Sequence, residues 1–292
     1  MIGVITVNYN QYQLTREFLD SLATVTNANV LTVFIADVST NKGAFKINCN
    51  YPMKVVLKSL PNNGYASGIN EGIKYFLKKG FDKFCAINND VFFDKSFANE
   101  AEKGFEKADI FGGKIYYAPG YEYHKKYQKK DIGKILWYAG GIDDWKNVYT
   151  THRGVDEVDN EQYNKFEETD FITGCMLFFN KKIIDKIGLW NEKYFLYFED
   201  SDFCERAKIA GFKVFYIPDA VVNHENAASS GLGSPLQDYY ITRNRMLYAS
   251  KFLTPRTRFA LFREALRNFG NPVRRLALWD FLTGNLGKGS LG

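Results

Sequence analysis

Apolar residues in the first 110 positions follow two alternating rhythms. Ile2-Gly3-Val4-Ile5-Thr6-Val7 is a short β-branched run that reads as a buried strand, and Leu14, Phe18, Leu19 and Leu22 then recur at helical spacing. Residues 30–36 and 53–57 supply a second and a third strand. Residues 67–79 predict a helix with Ile69, Ile73 and Phe76 on one face. Phe84-Cys85-Ala86-Ile87 is a fourth strand, succeeded by an amphipathic helix over 96–107. Strands alternating with helices predict an α/β fold with a mostly parallel sheet covered on both faces, and such sheets bind ligands beyond the carboxyl ends of their strands. Residues 116–169 break this rhythm. They are polar and rich in Tyr and Lys, and they read as a mobile insertion on the same domain. Regularity returns over 171–179, in a helix over 199–210 and in a strand over 213–217. A helical tail begins at about 255, which Gly270 and Pro272 should split in two.

Composition narrows the class. The 292 residues are 46% hydrophobic, 16% aromatic and 24% charged, which fits one large domain or at most two and excludes disorder or a fibrous repeat. No run approaches the ~18 apolar residues of a membrane span. The start, Met1-Ile2-Gly3-Val4, lacks the layout of a signal peptide, so a cytoplasmic location is expected. The four cysteines, Cys49, Cys85, Cys175 and Cys204, form no CxxC pair and read as ordinary thiols rather than as zinc ligands or disulfides. The net charge of +5 is uneven. Residues 251–292 hold eight Lys/Arg against two Asp/Glu, which leaves the first 250 one charge negative. A basic tail does not make a nucleic-acid binder, which needs its cations around the crevice.

The candidate chemistry lies at the strand ends. Asn8-Tyr9-Asn10 comes after the first strand, Asp37-Val38-Ser39-Thr40 after the second and Asn88-Asn89-Asp90 after the fourth. Singly these are turn residues; together they converge on one crevice. Asn62-Asn63-Gly64-Tyr65-Ala66-Ser67-Gly68 is a small-residue turn into a helix, suited to phosphate or simply to capping. It is neither a dinucleotide fingerprint nor a Walker A loop. Asp90 suits Mg²⁺ or Mn²⁺, which take one or two protein carboxylates when the substrate brings a diphosphate. In the second half, Glu199-Asp200-Ser201-Asp202 comes directly after the aromatic run Tyr194-Phe195-Leu196-Tyr197-Phe198. An acidic helix start has an ordinary electrostatic reading, but carboxylates beside aromatic surface are desolvated and can serve as general bases. His224 again stands after a strand and is a candidate metal ligand.

With these segments in this order, residues 2–250 resemble inverting glycosyltransferase family 2, of GT-A fold, and within it the bacterial rhamnosyltransferase-like branch. The resemblance divides 1–250 into a nucleotide-sugar-binding half (1–115), a variable insertion (116–170) and an acceptor and catalytic half (171–250), ahead of a basic amphipathic tail (251–292). It implies that Thr6, Val7, Asn8 and Tyr9 open the donor site, that Asp37 contacts the base, and that Asn63, Gly64 and Asn70 form the nucleotide turn. Asn88, Asn89 and Asp90 stand in the DxD position, with Asn88 replacing its first Asp, so that metal binding rests on Asp90 and His224. Asp37-Val38-Ser39 lacks the usual central Asn. Arg243, in Tyr240-Ile241-Thr242-Arg243-Asn244, is expected to neutralise the departing nucleoside diphosphate together with the metal.

The implied reaction is a single in-line displacement. Asp200, with Glu199 as the alternative, takes the proton of an acceptor hydroxyl while Asp202 orients Arg206 or the helix start. The resemblance favours dTDP-rhamnose as donor and UDP-hexoses next, a glycan or lipid-linked glycan of a bacterial surface polysaccharide as acceptor, and no nucleic acid. The tail is expected to dock on an anionic membrane at its cytoplasmic face, or else to pack on the domain or in a homodimer. A sugar-phosphate nucleotidyltransferase is the nearest rival, but that enzyme would show Gly, Arg and Lys near the first strand, where this chain reads Asn8-Tyr9-Asn10-Gln11-Tyr12. A non-catalytic carbohydrate- or nucleotide-binding protein on the same scaffold is the other, and the Glu199-Asp200 pair argues against it.

Overall fold

A computed structural model describes residues 1–41, 50–122, 124–225 and 233–291. Cys49 lies outside them. The parallel half runs β1 (Ile2–Asn8), α1 (Tyr12–Ala23), β2 (Leu31–Asp37), β3 (Lys54–Ser59), α2 (Tyr65–Lys78) and β4 (Lys83–Ile87). Its strands pair in the order β3-β2-β1-β4, all parallel. Every residue of β2 is buried, as expected of a strand covered on both faces. Phe18 and Leu22 of α1 cover one face, and Ile69, Ile73 and Phe76 of α2 the other.

The chain continues through β5 (Val91–Phe93), α3 (Phe97–Lys107) and β6 (Ile110–Tyr117) into β7 (Leu136–Tyr138), β8 (Gly141–Asp144), β9 (Tyr149–His152) and β10 (Glu167–Glu168). Then come β11 (Met176–Asn180), α4 (Lys181–Ile187), α5 (Glu199–Ile209) and β12 (Phe215–His224). The main sheet holds ten strands among the described residues. It is mixed, because β11 runs antiparallel between β4 and β6 while β12 runs parallel to β6. The direction of β11 was not legible, since a strand's own pattern does not encode its neighbour's polarity. The region 116–169, expected to be an irregular mobile insertion, is instead bound into the fold. β7 pairs with β6, and β8 with β9 forms a hairpin. Strands of two to four residues are too short to show a period. The strand expected to end at 217 runs on to His224 through a register shift between Ile217 and Val221, where Pro218 cannot donate to the ladder.

Three helices finish the chain: α6 (Pro235–Phe252), α7 (Pro255–Arg267) and α8 (Pro272–Thr283). Each begins with a proline one residue after a capping Ser, Thr or Asn, whose side chain accepts a backbone N–H of the first turn. Leu261 and Ala265 of α7 and Ala277 and Leu278 of α8 are buried against α6, and the boundary read at residue 250 falls inside α6. Among the described residues, no helix is long and apolar enough to cross a membrane.

Candidate active site

Strand direction assembles the site. β1, β2 and β4 end at the same edge of the sheet; β6 and β12 share their direction, so β12 ends there too, and antiparallel β11 begins there. A cavity of about 810 Å³ opens at this edge.

On the nucleotide side, the ends of β1 and β2 are cross-bonded. Asn8 and Asp37 are register partners, and the Asn8 amide donates to Asp37 Oδ1 (2.9 Å) and Ser39 Oγ (3.0 Å). Its carbonyl oxygen accepts from Thr15 Oγ1 (3.0 Å) and the Gln11 N–H (3.1 Å), and Tyr12 donates to Asp37 Oδ2 (3.1 Å). Asn89 donates to Thr15 Oγ1 at 2.8 Å, which extends the network to the end of β4. Gly64 adopts φ +95° with the Phe195 backbone at its back. A Cβ there would lie 2.4 Å from Phe195 O, so only glycine makes this turn.

Asp90 and His224 meet through the sheet register. Val91 of β5 pairs with His224, and the Glu225 N–H donates to Asp90 O at 2.9 Å. Asp90 Oδ1 lies 3.1 Å from His224 Nε2 in a geometry that makes no hydrogen bond, and both side chains are buried. Among the described residues, Asp90 Oδ1 and both ring nitrogens of His224 have no hydrogen-bond partner. A buried carboxylate oxygen and an imidazole that face each other at a cavity wall without a hydrogen bond fit a divalent cation. The described residues contain no cluster of three or more His, Cys, Asp or Glu that could hold a metal alone, so the remaining ligands would come from substrate or water.

The opposite wall is a strained loop. Phe195, Tyr197 and Phe198 have φ of +64°, +69° and +72°, a left-handed conformation uncommon for bulky residues. Buried side chains of α6 hold it. The Asn244 amide donates to the carbonyls of Tyr194 (2.9 Å), Leu196 (2.8 Å) and Tyr197 (2.9 Å), and Arg243 donates to Tyr194 O at 3.0 Å. The loop delivers Glu199 and Asp200 at the start of α5. Asp200 Oδ2 accepts the Gly174 N–H (2.8 Å) and Oδ1 the Ser201 N–H (2.7 Å). Burial pushes the Asp200 carboxyl up, against those donors. Glu199 Oε2 is buried without a partner among the described residues, and burial, then the neighbouring Asp200 charge, pushes its carboxyl up to about 8. Near neutral pH Glu199 therefore holds its proton, while the two N–H donors on Asp200 favour its charged form. Asp202 accepts from Arg206 Nε at 2.6 Å and from Tyr194 Oη at 3.1 Å.

Val7, Tyr9, Gly64, Asn88, Asn89, Asp90, Glu199, Asp200 and His224 line the cavity. Asn8 and Asp37 stand behind its wall in the cross-bonded network, and Asn63 is exposed beside it. Three expected donor contacts lie elsewhere. Thr6 is fully buried within β1. Asn70 is spent on Trp190, accepting its N–H (2.9 Å) and donating to its carbonyl (2.9 Å). Arg243 is fully buried under the loop with its guanidinium over the rings of Tyr239 and Tyr240, so it does not face a departing diphosphate. Sequence reasoning missed Trp137 and His152, and it named Tyr65 only as part of the small-residue turn. Tyr65 bridges the two walls, its N–H donating to Phe195 O and its hydroxyl to Gly174 O, both at 2.8 Å. Trp137 and His152 come from the insertion, their rings 4.3 Å apart, and burial pushes His152 down to about 4, so it is neutral. The only available signal was a Trp and a His in an otherwise polar stretch.

Residues 2–249 match the family described as glycosyltransferase like family 2. The chain belongs to that family. It is a glycosyltransferase, and its fold is GT-A. An N-acetylglucosaminyl-diphospho-decaprenol L-rhamnosyltransferase of Mycobacterium tuberculosis is 24% identical over 244 residues, covering 79% of this chain and 78% of that protein. The low-salt glycan biosynthesis hexosyltransferase Agl10 of Haloferax volcanii is 20% identical over 264 residues, covering 87% and 76%. Among solved structures, GalNAc-T7 with UDP, GalNAc and Mn²⁺ aligns with a TM-score of 0.58 at 13% identity, over 84% of this transferase and 50% of that chain. The mannosyltransferase PcManGT of Pyrobaculum calidifontis, with GDP-Man and Mn²⁺, aligns at 0.51 and 14% identity over 99% and 76%. Staphylococcus aureus TarS aligns at 0.53 and 14% over 93% of this chain, which spans only 44% of TarS.

Proposed function

We propose that the protein moves a sugar from a nucleoside-diphosphate sugar, with inversion, to a hydroxyl of a glycan or lipid-linked glycan of a bacterial surface polysaccharide. One observation carries this reading: the N–H-braced Asp200 carboxyl shares the cavity with the buried, facing Asp90–His224 pair. The donor lies along the strand ends, with the base toward Asp37 and the diphosphate between Gly64 and Asp90. Asp200 accepts the proton of the acceptor hydroxyl as its oxygen bonds to C1 from the face opposite the leaving group. The C1–O bond to phosphate breaks and its electron pair leaves with the nucleoside diphosphate. Mg²⁺ or Mn²⁺ held by Asp90 and His224 would supply neutralisation of that charge. Similarity to an L-rhamnosyltransferase supports a rhamnose donor, so dTDP-rhamnose comes first among the proposed donors, with UDP-hexoses next.

A donor screen tests the reading. Nucleoside-diphosphate release with dTDP-rhamnose or a UDP-hexose, stimulated by acceptor and lost in excess chelator, is expected, and NMR should find the new linkage inverted. Release of pyrophosphate from a nucleoside triphosphate would make the protein a nucleotidyltransferase instead. Retained configuration would remove Asp200 from the role of base.

The acceptor brings in the tail. Phe259 is 65% and Trp279 64% exposed, and Leu266, Phe269 and Leu282 are exposed too, interleaved with Arg256, Arg263, Arg267 and Arg275. The two acidic residues of this stretch are already engaged: Glu264 pairs with Arg245, and Asp280 is buried. This basic and apolar face suits the anionic cytoplasmic leaflet, where each arginine is worth about 1 kcal/mol. Binding to anionic liposomes at low salt, weakened at high salt and by Trp279→Ser with Phe259→Ser, is the expected result. A protein that ignores such liposomes but dimerises in solution would assign this face to a second copy.

A further inference from the structure

A diphosphate calls for cations, and among the described residues the strand ends that line the cavity supply no Lys or Arg. Among the described residues lining the cavity, Lys288 is the only Lys or Arg. It sits on a strap, residues 284–291, that leaves α8 and doubles back over the catalytic loop. The Gly287 N–H donates to Lys193 O at 2.8 Å, and the Tyr240 hydroxyl donates to Lys288 O at 2.8 Å. The Ser290 N–H and hydroxyl both donate to the buried Asp280 carboxylate at 2.8 Å, and Tyr239 donates to the same group. Gly287 and Gly289, on either side of Lys288, have φ of +67° and +63°. A Cβ on Gly289 would lie 2.1 Å from Tyr239 Oη and 2.5 Å from Arg243 Nη1, so the strap seats here only as glycine.

The seat also points toward the nucleotide turn. The ring of Tyr240 stacks on Phe195 at 5.0 Å, and Phe195 O accepts the Tyr65 N–H at 2.8 Å. Three contacts thus connect the strap to the turn at Gly64. The Lys288 ammonium group has no ion pair or hydrogen bond among the described residues, whereas Arg243 and Arg245 are committed within the protein.

We propose that Lys288 is the protein's own cation for a diphosphate entering this cavity, held in place by the glycine-rich strap. This rests on the nucleotide-sugar reading of the site. The diphosphate belongs either to the donor or to a diphosphate-linked acceptor, and the chemistry of recognition is the same.

Calorimetric titration of UDP, dTDP and GDP in excess Mg²⁺ into the full chain, Lys288→Gln and Lys288→Arg tests it. Lys288→Gln should bind the preferred nucleotide about tenfold more weakly, as expected for a charged hydrogen bond, and with a shallower salt dependence. Lys288→Arg should restore both. If nucleotide affinity holds but KM rises only for a diphosphate-linked acceptor and not for its methyl glycoside, the contact is to the acceptor's diphosphate. A full chain that binds a nucleotide, with Lys288→Gln changing neither its affinity nor either acceptor's KM, overturns the role of Lys288 and leaves the transferase reading intact. A full chain that binds none of the three and transfers no sugar overturns both.

Discussion

The two walls of the cavity are built by opposite means. The nucleotide wall is the parallel ladder itself: Asn8 and Asp37 face each other because β1 and β2 are in register, and their polar atoms satisfy one another. The catalytic wall has no ladder. Its backbone turns through three left-handed aromatic residues and is held by two α6 side chains some fifty positions downstream. Satisfied polar groups make a surface that binds, while strained backbone and unmatched carboxylates are tolerated where chemistry uses them. The difference teaches that binding and catalysis should fail separately.

Substitutions can break that separation or sharpen it. The largest effect is expected at the catalytic wall, where Asp200→Asn should lower transfer by about 10²–10⁴-fold, the worth of a general base. Titration should find nucleoside-diphosphate affinity within a few-fold of normal. A variant that transfers near-normally while Glu199→Gln does not would move the base to Glu199. Asn244→Ala comes next. It leaves the Leu196 and Tyr197 carbonyls without their donor while Tyr194 O keeps Arg243, and misplacing Asp200 by about 1 Å costs roughly 10²-fold in rate. Thermal unfolding should report a lower Tm as well, since each buried group left unpaired costs about 1–3 kcal/mol. Nucleotide binding unaffected by Asn244→Ala would confirm that the walls are independent.

Asn8→Ala attacks the other wall and should do the reverse. The donor's KM should rise about tenfold, on the order of one charged hydrogen bond, with kcat little changed. An equal loss of kcat would show that the walls communicate, with Tyr65 as the obvious bridge. The smallest effect concerns Glu199 and pH. Its folded carboxyl titrates near 8, against an ordinary value of 4.5, so the folded state keeps a proton that the unfolded chain releases. Its contribution to stability is complete below the unfolded value and is lost as pH rises toward 8. Tm measured across that window should fall in the wild type and change less in Glu199→Gln.

Much of this was legible because it is local. β-branched runs and helical spacing placed the parallel strands and α1 to α3, and the polar strand ends marked Asn8, Asp37, Asn89 and Asp90 in advance. The acidic start of α5 and its aromatic approach were visible as well, including the pairing of Asp202 with Arg206. Arg243 and Asn70 were misplaced because a polar residue in a helix pattern does not declare which way it faces. Arg243 looks inward to carbonyls, and Asn70 looks back to Trp190.

The sequence by itself determined the family, the parallel half and the candidate carboxylates at the start of α5, since each is written in consecutive residues whose chemistry and period are local. Only the tertiary structure decided that the end of β12 pairs with β5 and so brings His224 to Asp90. It alone decided that the short strands of 116–169 close one side of the cavity, and that a C-terminal strap sets Lys288 at its mouth. The physical reason is contact between residues far apart in the chain: strand polarity, register and the direction a buried side chain faces are chosen by the partner surface, and no local pattern records them.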